Sequence, residues 1–392
     1  MNEWQKVKLK DVINKIVDNR GKTPKNNTEC GLPLLEVNTL CEIKKTPTYE
    51  VVRKYVDTET YNNAFHSGHH KKGDILIPTV GTIGNVCIAD DKQCCIAQNV
   101  IGIRTNNDLC LPEYLYYTLK NKTTQRRLLN LDIGGVQPSI KVPHLLNLEI
   151  LLPDFFTQQK IASVLSSIDD KIELNAQINH NLEEQANILL EQNCSHRKSL
   201  KLGDIISFVN GYAFKSSSYV TKGAFKVITI KNVQDGKIET SGADCVSEIP
   251  ENMKSECALQ IGDILLSLTG NVGRTGIVCE ENLLLNQRVA KIVPHKRELL
   301  STIYFIFRRA ATKKSLETIS RGTAQLNLSP VETLDVKIPL CIESLVNMAP
   351  FLDSFFEQIV SNEQECQRLI KLRDALLPKL MSGEIDVSEV EV

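Results

Sequence analysis

At 392 residues the chain is too long for one ordinary hydrophobic core and suits two domains of average size. Its composition, 42% hydrophobic and 24% charged, is that of a globular protein and excludes the disordered and fibrous classes. A net charge of −1 gives no global sign of a nucleic-acid partner, so any phosphate-binding surface must be a local patch.

No run approaches the ~18 uninterrupted apolar residues of a membrane span, and the polar start "MNEWQKVKLKD" does not read as a secretory signal. The twelve cysteines are scattered, without a CxxC pair, in a chain much larger than domains that need disulfide staples. They read as reduced thiols, and the expected compartment is the cytoplasm.

In chain order, "VKLKDVINKIVDNRGKTP" (7–24) is answered by "LKLGDIISFVNGYAFKSS" (200–217), with Asp11 corresponding to Asp204 and Gly21 to Gly211 or its neighbour. "LLEVNTL" (34–40) and "VITIKNV" (227–233) are matching apolar alternations and read as one strand each. "GDILIPTVGTIG" (73–84) returns as "GDILLSLTGNVG" (262–273), six of twelve positions identical at an offset of 189. Gln98-Asn99-Val100 matches Gln287-Arg288-Val289 at the same offset. The aromatic and basic segments "PEYLYYTLKNKTTQRRLLN" and "IYFIFRRAATKKSLETISRG" follow, then "GGVQPSI" and "GTAQLNL", then "LEILLP" and "LDVKIP" at an offset of 186. A slowly shrinking offset is the mark of small loop deletions between two tandem copies of one unit.

Each copy closes on a proline and a long helical pattern. The first, 157–192, has no internal Pro or Gly and carries apolar residues at Ile161, Val164, Leu165, Ile168, Ile172, Ile178, Leu182 and Leu189. The second, from about Leu345 to Leu380, repeats the stripe through Leu352, Phe355, Ile359, Leu369, Leu376 and Leu380. Asn175 and Asn362 interrupt the stripes, as register-fixing polar residues do in coiled coils. Each helix can bury its stripe by folding back on its own unit, or the two can pack together, antiparallel. Persistence of the stripes to their far ends favours the second. The expected fold class is therefore mixed α+β: two similar β-rich domains separated by two long antiparallel coiled-coil helices in pseudo-twofold arrangement. The expected segments are domains at 1–153 and 198–340, spacer helices at 154–197 and 341–385, and an acidic tail at 386–392.

The order of "GDILIPTVGTIGN", "GGVQPSI" and "QQKIASVLSSIDDKI", with the second set "GDILLSLTGNVGR" and a closing "LLPKLMSGEIDV", resembles the specificity subunit of type I restriction–modification systems over essentially the whole chain. That resemblance implies two target-recognition domains, each reading half of a bipartite double-stranded DNA target. It also implies a helical spacer that docks two modification methyltransferase subunits and, through them, restriction/translocase subunits. S-adenosylmethionine, ATP and Mg would belong to those partners, with no cofactor in this subunit. The second helix begins "IESLVNMAPFLDSFFEQI" and lacks the Gln-Gln-Lys-Ile-Ala start, a departure that bears on its methyltransferase contact. The recognition chain of a type II system, with restriction and methyltransferase activities fused, is the alternative. A duplicated scaffold without DNA contact is the third reading.

A DNA reader needs base-edge groups on loops and cations for phosphates. Lys122, Arg126 and Arg127 lie in a stretch, 120–127, without an acid, and Arg309, Lys313, Lys314 and Arg321 lie in its counterpart. Such runs also occur as solvated helix faces; their recurrence in both copies points to phosphates. The turns Gly81-x-x-Gly84 and Gly270-x-x-Gly273 read as hairpins whose glycines allow close approach. They carry Thr82 and Asn85 in one copy, Asn271 and Arg274 in the other. Gln98 and Asn99 against Gln287 and Arg288, and Gln137 and Ser139 against Gln325 and Asn327, likewise keep the place and change the group. Arg suits guanine, and Asn or Gln suits adenine.

Enzymatic readings lack support: no Walker or dinucleotide loop, no methyltransferase tetrad and no nucleophile elbow occurs. Glu42-Ile43-Lys44 has a nuclease-like spacing without an echo in the second copy, and His66, His69 and His70 lack a second ligand pair at metal-site spacing. The expectation is a non-catalytic protein without a bound metal.

Overall fold

The structure is a computed structural model that describes residues 4–20, 28–41, 44–132, 138–194, 199–322 and 326–388. Its chain divides into two compact units, Met1–Glu173 with Arg368–Val392, and Leu174–Gln367. Each unit takes part of each long helix.

In the first unit, alternating apolar residues build a four-stranded antiparallel sheet in the order Ile13–Asp18, Val100–Thr105, Ile75–Pro78, Cys87–Ile88. A second sheet runs Tyr55–Val56, Leu32–Leu35, Cys95–Ile96, its last pair parallel. Cys94, just before strand Cys95–Ile96, and Cys95, its first residue, pack into different apolar clusters. Pro112 opens the helix Pro112–Lys120, where its missing N–H costs nothing. Tyr114, Leu115, Tyr117 and Leu119 of this helix pack on Ile75, Ile77, Ile101 and Ile103 of the first sheet. Ile161 and Leu165 from the start of the first long helix, with Leu377 and Leu380 from the end of the second, complete that core.

The second unit repeats the order. Its main sheet runs Ile206–Asn210, Val289–Pro294, Ile264–Ser267, Thr275–Ile277, Gly236–Lys237, and its smaller sheet Asp244–Val246, Phe225–Ile228, Leu283–Leu285, Ala258–Leu259. The parallel pair recurs, with Val227 opposite Leu284 where the first unit has Leu34 opposite Cys95. Helix Leu300–Arg308 is buried from Ser301 to Phe307. Ala186 and Leu190, late in the first long helix, share its core with Leu345, Met348, Leu352 and Phe356, early in the second.

The two long helices span Phe155–Gln192 and Ile342–Ser382, roughly 57 and 61 Å at 1.5 Å per residue. The start of one packs with the end of the other in both units, so they run antiparallel and pack together, as their stripes suggest. The second helix continues through Pro350, whose exposed position leaves the unbonded carbonyl of Val346 to water. Within the second unit a polar layer crosses the helix pair. Asn175 donates to Glu365 (2.7 Å), Asn179 to Glu363 (3.0 Å) and Asn362 to Asn179 (2.7 Å), while Gln358 donates to Asn362 (2.7 Å). Asn175, Asn179 and Asn362 are buried, and burial pushes the Glu363 carboxyl above its ordinary pKa. Among the described residues, no helix is long and apolar enough to cross a membrane.

Candidate nucleic-acid interface

The repeated glycine phrase forms a hairpin in both units. Ile75–Pro78 turns back onto Cys87–Ile88, and Ile264–Ser267 onto Thr275–Ile277. Gly81, Gly84, Gly270 and Gly273 all have φ between 77° and 102°, where a side chain would be strained.

Three segments far apart in sequence meet at the tip of each hairpin. In the first unit the Thr79 N–H donates to the Asn99 carbonyl (2.8 Å), the Gly81 N–H to the Pro138 carbonyl (2.9 Å), and the Ile140 N–H to the Thr79 carbonyl (2.9 Å). In the second, Leu268 donates to the Arg288 carbonyl (3.2 Å), Gly270 to the Leu326 carbonyl (2.9 Å), and Leu328 to the Leu268 carbonyl (2.7 Å). The bridges Val80–Ser139 and Thr269–Asn327 complete the correspondence. All of these bonds are main-chain bonds, so the scaffold is indifferent to the side chains it displays. Thr82 and Gln98 are exposed at the first tip, with Asn99 and Ser139 half-buried. Asn271, Gln287, Arg288 and Asn327 are exposed at the second. Gln137 and Gln325 lie outside the described residues.

Two of the predicted readers have internal tasks. Asn85 donates its amide to the Leu40 carbonyl, and the Arg274 guanidinium donates to Gln234 Oε1 at 2.9 Å. Sequence reasoning missed Gln125, whose amide donates to the Gly84 carbonyl (2.8 Å) and ties the basic helix Lys122–Leu129 to the hairpin. At the equivalent place Lys313 lies against Gly273, where an added Cβ would sit 3.5 Å from its side chain. A shared offset of 188 pairs Gln125 with Lys313.

The cations differ between the units. Lys122, Arg126 and Arg127 are exposed, and Arg127 donates to the Glu149 carbonyl at 3.2 Å. In the second unit, Arg309 is turned inward, its side chain 10% exposed near Glu191 (4.0 Å) and Cys194 (3.5 Å). Lys313 pairs with Asp235 at 3.0 Å, and Arg321 pairs with Glu332. Lys314 stays exposed.

Buried titratable groups sit elsewhere, and their states do not suit nucleophilic chemistry. The Cys94 thiol lies 3.2 Å from His70 Nε2. Burial pushes the thiol up to about 11 and the imidazole down to about 4, so both are neutral where a catalytic pair would be ionised. His69 stacks on Tyr61 with ring centroids 3.7 Å apart. Among the described residues, no three His, Cys, Asp or Glu side chains converge as metal ligands. Glu42 and Ile43 lie outside the described residues.

His70 makes a pH prediction. Unfolded, it titrates near ~6.5; folded, near about 4. Above pH ~6.5 both states are neutral and the fold keeps its full stability. As pH falls from there to about 4 only the unfolded chain takes the proton, which removes about 3 kcal/mol. Urea melts at pH 7 and 4.5 should therefore show a smaller acid loss for His70→Gln than for the wild type. Equal losses would refute the assignment.

Comparison with known proteins agrees with this geometry. Residues 1–184 and 196–371 match the family described as the type I restriction modification DNA specificity domain. The chain is 24% identical over 400 aligned residues to the type I restriction enzyme HindI specificity subunit of Haemophilus influenzae, covering 80% of this chain and 87% of that one. It is 28% identical over 360 residues to the MjaIX specificity subunit of Methanocaldococcus jannaschii, covering 81% and 79%. Its fold is similar to the crystal structure of a type I restriction–modification S subunit from M. genitalium, with TM-score 0.55, 19% identity and 96% of each chain covered. Matched along nearly its whole length, the chain belongs to the type I restriction–modification DNA specificity family and is the specificity subunit of such a system.

Proposed function

We propose that the two hairpin tips are the reading heads of this subunit, each recognising one half of a bipartite double-stranded DNA target. The subunit is non-catalytic, and in its family the cofactors lie on the methyltransferase and restriction subunits. What supports the reading is a single observation: one main-chain scaffold, built twice, carries different polar groups at corresponding places. Thr82, Gln98, Asn99 and Ser139 would face one half-site, and Asn271, Gln287, Arg288 and Asn327 the other. Lys122, Arg126 and Arg127 would hold phosphates beside the first. The paired long helices would set the number of unread base pairs and dock two modification subunits, through which the restriction subunits join. S-adenosylmethionine, ATP and Mg would bind on those partners. The proposed recognition domains are 1–153 and 198–340.

The test is selection of methylated sites from random DNA by the assembled methyltransferase. A split motif is expected, and a continuous one would refute the reading. Arg288→Ala should relax one half of that motif only, weakening discrimination at the affected base by about 1–3 kcal/mol. Relaxation in both halves, or in neither, would count against Arg288 as a reader.

A further inference from the structure

In the second unit, among the described residues, all the cations of the basic segment that sequence analysis favours for phosphates except Lys314 face carboxylates of the same unit. Arg308 forms a two-pronged pair with Glu183 (2.9 and 2.8 Å). Arg309 faces Glu191, Lys313 pairs with Asp235 and Arg321 with Glu332. A cation already matched to a carboxylate has little left to offer a phosphate, because binding DNA would first require breaking the pair. A reader of duplex DNA nonetheless needs phosphate contacts to hold its register.

The loop 211–222 offers further cations beyond Lys314. From Ile205 to Gln234 the sequence has Lys215, Lys222, Lys226 and Lys231 and not one acid. Lys226 is paired with Glu280 at 3.1 Å. Lys215 and Lys222 are exposed, and among the described residues neither makes an ion pair. The start of the loop is fixed beside the tip, and its far end is tied to strand Asp244–Val246 by the Val220 N–H donating to the Cys245 carbonyl (2.9 Å). The Tyr212 N–H donates to the Leu285 carbonyl (2.9 Å), and the Gln287 N–H donates to the Tyr212 carbonyl (3.0 Å). Tyr212 sits edge-on to Phe214 with centroids 5.0 Å apart, and its hydroxyl donates to Asn252 at 2.7 Å. Lys215 therefore follows directly on an anchored aromatic pair that adjoins the proposed base-reading residues Gln287 and Arg288.

We infer that Lys215 and Lys222 hold phosphates in the second unit alongside the exposed Lys314, taking the part that exposed helix cations play in the first. This rests on the proposed reading of DNA by the hairpin tips. Each lysine neutralises one phosphate beside the half-site and releases its counterions.

The experiment measures binding of a random-sequence DNA duplex by the specificity subunit assembled with its modification subunits, across a salt series. Each lost phosphate contact lowers the slope of log K against log salt by about 0.9. Lys215→Ala/Lys222→Ala should lower it by about 1.8. The charge-matched control Lys296→Ala/Arg297→Ala, at the other end of strand Val289–Pro294, should leave it unchanged. An unchanged slope in the first variant, with the wild type binding normally, overturns the inference and spares the wider reading. An equal drop in the control overturns it too, since net charge alone would then explain the effect. If the wild-type assembly fails to bind DNA, both fall together.

Discussion

Replacing Arg373 with methionine is expected to destabilise the first unit by about 3–5 kcal/mol, the largest single loss among the substitutions considered. Arg373 lies on the second long helix and Asp169 on the first, 2.9 Å apart, with side chains 17% and 10% exposed. The same carboxylate accepts from the Tyr117 hydroxyl at 2.7 Å, so helix Pro112–Lys120 joins the pair. Burial opposes the Arg373 charge, and the hydrogen bonds and charges of Asp169 and Asp374 together more than offset it, leaving the guanidinium pKa above its ordinary value. Removing the cation leaves a carboxylate near the core with one neutral donor. Removing both charges is much milder. Asp169→Leu/Arg373→Met should recover most of the loss, short of the cost of the Tyr117 hydroxyl, whose remaining neighbour is Ser166 at 3.5 Å. Chemical melts of the wild type, both single variants and the double variant decide the matter. A double variant no more stable than Arg373→Met would mean that lost packing, rather than a stranded charge, sets the penalty.

The duplication was legible because strands repeat through main-chain grammar. At an offset of 189, Ile75–Pro78 becomes Ile264–Ser267 and Val100–Thr105 becomes Val289–Pro294. The long helices were legible from their stripes, and their mutual packing from the excess apolar surface that one lobe cannot cover. The convergence of residues 79–85, 98–99 and 138–140 was only half legible. Each stood out by recurrence, but the bonds joining them connect main-chain groups, which leave no mark on residue identity. What stayed hidden was the fate of the cations. Arg308 meets Glu183 across 125 residues, and Lys313 meets Asp235 across 78. A local count of charge cannot see partners that far along the chain, so a basic helix and a largely neutralised one look alike. Asn179 was missed for a different reason. The seam was drawn through apolar residues, yet Asn179 lies one helical turn from Asn175 and so shares its face. That spacing was a usable signal.

Gly211→Ala should be nearly as damaging, by a route that separates steric from torsional strain. Gly211 does not have the positive φ of the turn glycines, so alanine meets no conformational penalty there. Its difficulty is space. A Cβ would lie 2.2 Å from the Asn286 carbonyl oxygen and 2.7 Å from that of Leu285. Both are main-chain atoms, which cannot swing aside as a flexible side chain does. Relief requires the parallel bridge between Tyr212 and Asn286 to open, and overpacking of this kind costs about 3 kcal/mol. That bridge seats both the aromatic loop with Lys215 and the turn with Gln287 and Arg288, so the strain falls on the proposed reading surface. Gly242→Ala is the converse. Its φ is +68° with nothing within 4 Å of an added Cβ, so only the left-handed backbone penalty of about 1–2 kcal/mol applies. Thermal melts should place Gly211→Ala below Gly242→Ala. Salt-dependent DNA binding, measured where both variants remain folded, should be impaired in Gly211→Ala alone. Equal binding by the two would separate the bridge from the reading surface and leave Gly211 a purely structural residue.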